Sequence, residues 1–158
     1  MTVTEAVRQR ISTRAFLDTP IPRGQLVDLL ETAQRAPSGG NLQPWKLIAV
    51  TGPAKDEIIH LAHRVLATDP TGHVTSDRPV YPDLNAVDPV YNARRKRVGE
   101  MMYARVGIPK EDRAGRTRWF ANNYRFFGAP VGLFLIIDRR MGHGQWAHMG
   151  MYMQTIAL

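Results

Sequence analysis

The chain contains no cysteine, which excludes disulfides, thiolate catalysis and cysteine-ligated metals. Serine is nearly as scarce: only Ser12, Ser38 and Ser76 occur, none of them in a GxSxG setting. GxGxxG, Walker-type and HExxH patterns are missing too, so the common nucleotide, nucleophile and zinc signatures are not available. No histidine has a catalytic partner visible in the sequence. His60 and His63 stand three apart on a helical pattern, but no neighbouring carboxylate or third histidine completes a ligand set, and both are expected at the surface. No apolar run approaches the length of a membrane span, and Met1-Thr2-Val3-Thr4-Glu5 lacks a basic stretch followed by an apolar one. The expectation is a cytoplasmic protein with no metal and no membrane partner. If it is an enzyme, a bound cofactor carries the chemistry.

The 158 residues, 44% of them apolar, suffice for one domain spanning 1–158 with a real core. Twenty-one Lys and Arg against 14 Asp and Glu give a net charge of +7, which favours anionic partners: nucleic acid, acidic lipid or a phosphorylated cofactor. The chain ends on Met151-Tyr152-Met153-Gln154-Thr155-Ile156-Ala157-Leu158, in mid-pattern and without a stop signal, which predicts a C-terminal truncation.

The most distinctive stretch is Ala36-Pro37-Ser38-Gly39-Gly40-Asn41-Leu42-Gln43-Pro44-Trp45. Two prolines, two glycines and small polar residues predict a rigid binding loop with open backbone amides, suited to close approach by a flat or anionic ligand. Asn41 and Gln43 carry amides that can pair with a ring bearing donors and acceptors. A helix-to-strand turn in which Gly39 and Gly40 merely permit positive φ explains the glycines but not those two amides.

Upstream, Thr2 and Glu5 form a capping box for a short helix ending near Arg10. Arg10, Ser12 and Arg14 then alternate, and on an extended chain they share one side, two guanidinium forks and a hydroxyl that suit a phosphate. A solvated basic helix end fits the same residues. Pro20-Ile21-Pro22 breaks the chain, with Pro22 suited to the first position of a helix running to about Arg35. Lys46 to Val50 reads as a buried strand and Pro53 to Leu66 as a helix. Residues 68–90, rich in proline, read as a long loop, with Tyr81 and Tyr91 as candidates for stacking on an aromatic ligand; segment 68–118 is expected to be an insertion or lid. A helix over 90–106 carries Arg94-Arg95-Lys96-Arg97, whose four cations point all round it and form no single stripe. Pro109 to Phe127 reads as a helix with Phe120, Tyr124 and Phe127 on its apolar side and Asn122 and Arg125, three apart, on an adjoining face. Val131 to Ile137 is the strongest strand signal and is expected to be central. Trp146, Met149, Met153 and Ile156 then form a long apolar stripe, which in a monomer is core and, by the resemblance set out below, implies the centre of a dimer. No role is assigned to Gln145 or Gln154.

Arg10-Ile11-Ser12-Thr13-Arg14-Ala15-Phe16 followed by Ser38-Gly39-Gly40-Asn41-Leu42-Gln43-Pro44-Trp45 resembles the paired N-terminal signature of the FMN-dependent nitroreductase family. Segments 122–130 and 144–154 are similar to its nitrobenzoate-reducing branch, and residues 68–118 match least. The resemblance implies an α+β nitroreductase-like fold, a central mixed β-sheet flanked by helices, in a homodimer with sites at the subunit interface. It also implies that Arg10, Ile11, Ser12 and Arg14 hold the FMN phosphate, ribityl chain and pyrimidine edge. Pro37, Ser38, Gly39, Gly40, Asn41 and Gln43 would meet the flavin of the partner subunit. Asn122 would bond the ring edge, and Arg125 would stabilise negative charge on the reduced flavin. Hydride would pass from NADH or NADPH to flavin N5 and on to a nitroaromatic or quinone, with no side-chain acid or base required.

Three other readings stay open. The same cofactor could serve dehalogenation or flavin fragmentation. The basic chain could be a nucleic-acid-binding module without flavin, although its missing aromatic interleaving argues for no nucleic-acid partner. It could also be an inactive fragment that exposes its dimer stripe.

Overall fold

The computed structural model describes residues 1–69 and 83–158. Tyr81 and most of the proline-rich stretch lie outside them. The chain divides into two compact units, one formed by Met1–Asp56 with Phe126–Leu158 and the other by Glu57–Arg125.

In the first unit, helix α1 spans Val3–Gln9 and opens on the expected capping box: the Glu5 amide donates to Thr2 Oγ1 at 3.2 Å, and the Thr2 amide to Glu5 Oε2 at 2.6 Å. Helix α2 spans Arg23–Ala33, with Pro22 as its N-cap and not its first residue; Pro22 has ψ of 137°, so its extended backbone precedes the helix. Strands β1 (Trp45–Thr51) and β2 (Val131–Ile137) pair antiparallel, with Trp45 opposite Ile137 and Thr51 opposite Val131. Where the resemblance implies a mixed sheet and the strand signal of β2 a central place in it, the described strands form this two-stranded antiparallel sheet.

Directly opposed residues share a face. On one face Trp45, Leu47 and Leu135 pack against the buried cluster of Ala33, Ala36 and Tyr152. Tyr152 belongs to helix α7, which spans His143–Ala157. Its ring stacks on Trp45 with centroids 4.7 Å apart and planes within 6°, the offset parallel geometry that the ring quadrupoles favour. Its hydroxyl donates to the Leu30 carbonyl at 3.4 Å, and burial pushes the phenol pKa up. The predicted stripe on α7 is therefore split. Met149 is buried and Ile156 half-buried, while Trp146 is 44% and Met153 56% exposed. Between β2 and α7, two bonds from the Arg140 guanidinium to Asp138, then one from the Arg140 amide, hold the Asp138 carboxyl down to about 2.

On the other face of the hairpin, Gly132 lies under the ring of Phe126, so close that a Cβ would fall 2.6 Å from Cε1. Phe126 also meets Phe134 edge to face, with centroids 5.9 Å apart.

Helix α3 runs Gly52–Thr68 and leads into the second unit. That unit also contains α4 (Leu84–Val87), a short helix where the sequence reads as loop, and α5 (Pro89–Arg105), N-capped by Asp88. The expected Pro109–Phe127 helix is interrupted: α6 covers Arg113–Phe120, capped by Asp112, and a 3₁₀ segment follows over Ala121–Gly128. Its end is left-handed, with φ of 51° at Phe126 and 52° at Phe127, so Phe127 cannot continue a stripe from Phe120 and Tyr124. Arg94, Arg95, Lys96 and Arg97 are all exposed on α5, and so are Tyr91, Val98 and Met101 from its predicted apolar side.

Candidate functional site

The segment after α1 leaves the helix extended at Arg10, where φ is −60° and ψ 122°. It does not continue as a regular strand. The Thr13 amide donates to the Ile11 carbonyl at 3.2 Å, closing a tight turn, and Arg14 Nη1 donates to the Ser12 carbonyl at 3.1 Å. The simple alternation that would align Arg10, Ser12 and Arg14 on one side is thus replaced by a turn. All three side chains and that of Ile11 are exposed, and among the described residues neither arginine enters an ion pair.

A strained turn anchors this segment. The Phe16 amide donates to the Phe127 carbonyl at 3.3 Å, Lys55 Nζ donates to the Ala129 carbonyl at 2.7 Å, and the Ala129 amide returns to the Phe126 carbonyl at 3.0 Å. Successive positive φ values at Phe126, Phe127 and Gly128 are costly for the two aromatics. The backbone bond from Phe16, the side-chain bond from Lys55 and the fit of the Phe126 ring over Gly132 hold them there.

Loop 36–45 folds into a 3₁₀ turn over Gly39–Asn41, with φ of 60° at Gly40, 53° at Asn41 and 44° at Gln43. Gly40 serves the expected conformational role, and Asn tolerates the left-handed region better than most residues. Gly39 serves another: a Cβ there would lie 3.0 Å from His148 Cε1 on α7.

The expectation of open amides requires correction for four of the loop's amides. The Gly39 amide donates to His148 Nε2 at 3.2 Å, the Asn41 amide to the Ser38 carbonyl at 2.9 Å, the Leu42 amide to the Gly39 carbonyl at 3.3 Å and the Gln43 amide to Ser38 Oγ at 2.9 Å. These amides shape the loop. What it offers a ligand is the exposed Asn41 side chain, the Gln43 side chain and the Ser38 hydroxyl proton, since Ser38 Oγ accepts from Gln43. Pro37 is exposed at the loop's start, beside buried Ala36 of the core cluster.

His148 also meets Gln145, with Nδ1 3.0 Å from Oε1. Neither residue stands out in the sequence as a site residue, and a loop contact made across 109 positions leaves no local signal.

Asn122 and Arg125 lie in the second unit. They share a face for a different reason from the one expected, because residues three apart eclipse on a 3₁₀ helix. Asn122 is half-buried and Arg125 exposed. The Asn123 side chain is turned back to the Phe120 carbonyl at 2.7 Å.

Two recesses open elsewhere. One of about 430 Å³ in the first unit lies among Asp18, Lys55, Asp56 and Pro130. The other, about 190 Å³ in the second unit, is lined by Leu66, Thr117, Phe120 and Ala121. Neither includes a sequence-predicted site residue. Among the described residues no helix is long and apolar enough to cross a membrane, and no group of three metal-ligating side chains occurs.

An antiparallel strand pair packed on α7, a glycine loop entering its first strand and an arginine-bearing segment tied to the turn before its second make up an α+β framework. Residues 7–158 match the Nitroreductase family, and the chain belongs to that family. It is 36% identical over 155 residues to the 4-nitrobenzoate reductase of Pseudomonas putida, covering 96% of this chain and 64% of that protein. It is 32% identical to the nitrobenzene nitroreductase of Ectopseudomonas oleovorans, over 99% of this chain and 67% of that protein. The FMN and NADPH-dependent nitroreductase NfnB of Sphigopyxis sp. strain HMH superposes with a TM-score of 0.92 at 42% identity, covering 99% of this chain and 69% of that one. The chain thus spans about two thirds of the length of these relatives.

Proposed function

We propose that the chain is the FMN-binding part of an NAD(P)H-dependent oxidoreductase that reduces nitroaromatic or quinone-type acceptors. The observation that carries this reading is the pair of exposed guanidiniums, Arg10 and Arg14, which enter no ion pair among the described residues and stand beside Ser12 in a chain of the Nitroreductase family. That donor set, with two permanent charges and a hydroxyl, fits a phosphate monoester.

FMN, when bound, supplies hydride acceptance and delivery at ring N5. The chain's own residues bind and orient. Arg10, Ser12 and Arg14 would hold the phosphate and ribityl hydroxyls, with Ile11 beside them. Asn41 and Gln43, projecting from a loop in which the Gly39, Asn41, Leu42 and Gln43 amides are already engaged, would read the ring edge of the partner subunit's flavin by side chain, and Pro37, Ser38, Gly39 and Gly40 would set the loop's approach. Asn122 and Arg125 would address the pyrimidine side, Arg125 favouring added negative charge there.

A homodimer completes this reading. Its support is the face of α7 on which Trp146, Gly150 and Met153, at i, i+4 and i+7, are exposed and present an adaptable apolar surface. Met153→Glu is expected to shift the protein from dimer to monomer in light scattering coupled to size exclusion. An unaltered dimer would remove α7 from the interface.

The visible absorption spectrum of the purified protein tests the main claim. A flavin spectrum that bleaches under anaerobic NADPH or NADH and returns on adding a nitrobenzoate is the expected result. A colourless protein that FMN cannot reconstitute would overturn the reading. Salt-dependent nucleic-acid binding by such a protein would favour the basic-module alternative.

A further inference from the structure

We infer that His148, supported in one tautomer by Gln145, is the positioning residue for the 36–45 loop. The inference rests on the FMN reading only in saying what the loop is positioned for.

Two independent features of the structure meet at this ring. The Gly39 amide donates to His148 Nε2 at 3.2 Å, and the same ring lies so near the Gly39 Cα that a Cβ would meet Cε1 at 3.0 Å. A side chain at Gly39 would press on the His148 ring, and His148 accepts from the Gly39 amide. A backbone amide can only donate, so Nε2 must be the unprotonated nitrogen. The proton of the neutral ring is then on Nδ1, 3.0 Å from Gln145 Oε1, an acceptor on the preceding turn of α7. The Gly39 amide thus fixes the tautomer, and Gln145 supports it by accepting from Nδ1. The relay runs Gln145, His148, Gly39, and its last member opens the 3₁₀ turn from which Asn41 projects.

This arrangement gives the loop a fixed point on the helix that also supplies Tyr152 to the core. Ser38 fixes the other end through the Gln43 amide. Asn41 lies between the two anchors, and its left-handed backbone persists because both hold.

The test compares His148→Leu, which removes the acceptor at similar volume, with His148→Gln, whose side-chain oxygen can reach the place of Nε2. In flavin-free protein, amide hydrogen exchange at Gly39 is expected to accelerate about tenfold or more in His148→Leu and to return to within about threefold of the parent in His148→Gln. Nitrogen NMR of the parent is expected to show the Nδ1-protonated ring. Gln145→Leu, with His148 intact, is expected to raise the Nε2-protonated population and loosen Gly39. FMN titration should follow the same order, with the dissociation constant about five- to tenfold higher in His148→Leu and restored by His148→Gln.

Unchanged exchange at Gly39 in His148→Leu, or an Nε2-protonated ring in the parent, overturns the inference. Failure of every form, parent included, to bind FMN while the exchange order holds would sink the cofactor reading and leave the positioning role supported.

Discussion

Tyr152→Ala is expected to lower the unfolding free energy by about 3–5 kcal/mol, the range for truncating a large buried aromatic. Tyr152 is 2% exposed and is the largest fully buried side chain among the described residues. Its ring covers Trp45, and the cluster beneath it consists of two alanines, Ala33 and Ala36, which cannot move in to fill the void. Tyr152→Phe keeps the ring and loses one long hydrogen bond at 3.4 Å, so its cost is expected to stay below about 1 kcal/mol. Urea unfolding followed by tryptophan fluorescence separates the two. A Tyr152→Ala protein within about 1 kcal/mol of the parent would show that the Trp45 stack is not the centre of this core. Ala36 opens the glycine loop and Trp45 ends it, so the same truncation is expected to loosen the loop as well.

Arg10→Ala and Arg14→Ala are each expected to weaken FMN binding roughly tenfold, and the double variant roughly a hundredfold. A charge-assisted hydrogen bond contributes about 1.5–3 kcal/mol, and exposure of both guanidiniums places them at the low end. Stability should hardly change, because neither side chain is buried and the one described bond of the Arg14 guanidinium is to its neighbour's carbonyl at Ser12. The salt dependence of binding should flatten in both variants, since the attraction they lose is screened by ions. FMN titrations at two ionic strengths check this. Undiminished occupancy in both single variants would end the phosphate assignment.

Much of the framework could be read from residue order alone. The capping box at Thr2 and Glu5 and both strands announce themselves through local chemistry, and local chemistry shapes them in the structure. Three features did not follow from the sequence. The left-handed pair Phe126-Phe127 contradicts the preference of both residues, and the ring packing over Gly132 and the bond from Phe16 sustain it from positions distant in the chain. The loop's amides look open when the loop is read alone, because one acceptor that closes them, His148, lies 109 residues away. On α7 a stripe of large apolar residues was legible, but not which part turns inward. Tyr152, amphipathic by composition, takes the buried position because Trp45 offers it a stacking face. The Arg10–Phe16 and 36–45 segments stand out because backbone and charge demand special residues there. Their anchors are tertiary and leave no mark beside them.

The β1 and β2 ladder has a further consequence for how the molecule forms and varies. Thr51 and Val131 face each other in register, yet residues 52–130 intervene between them. A hairpin of neighbouring strands can zip from its turn, whereas this one must wait for a large loop to close, so sheet formation should come late and set the pace of folding. Closure cost grows only logarithmically, about 0.6 kcal/mol for each doubling of the intervening length. Evolution can therefore lengthen, shorten or rebuild the stretch between the strands at small thermodynamic expense, while the ladder, the Tyr152 core and the two signature segments beside them stay as they are.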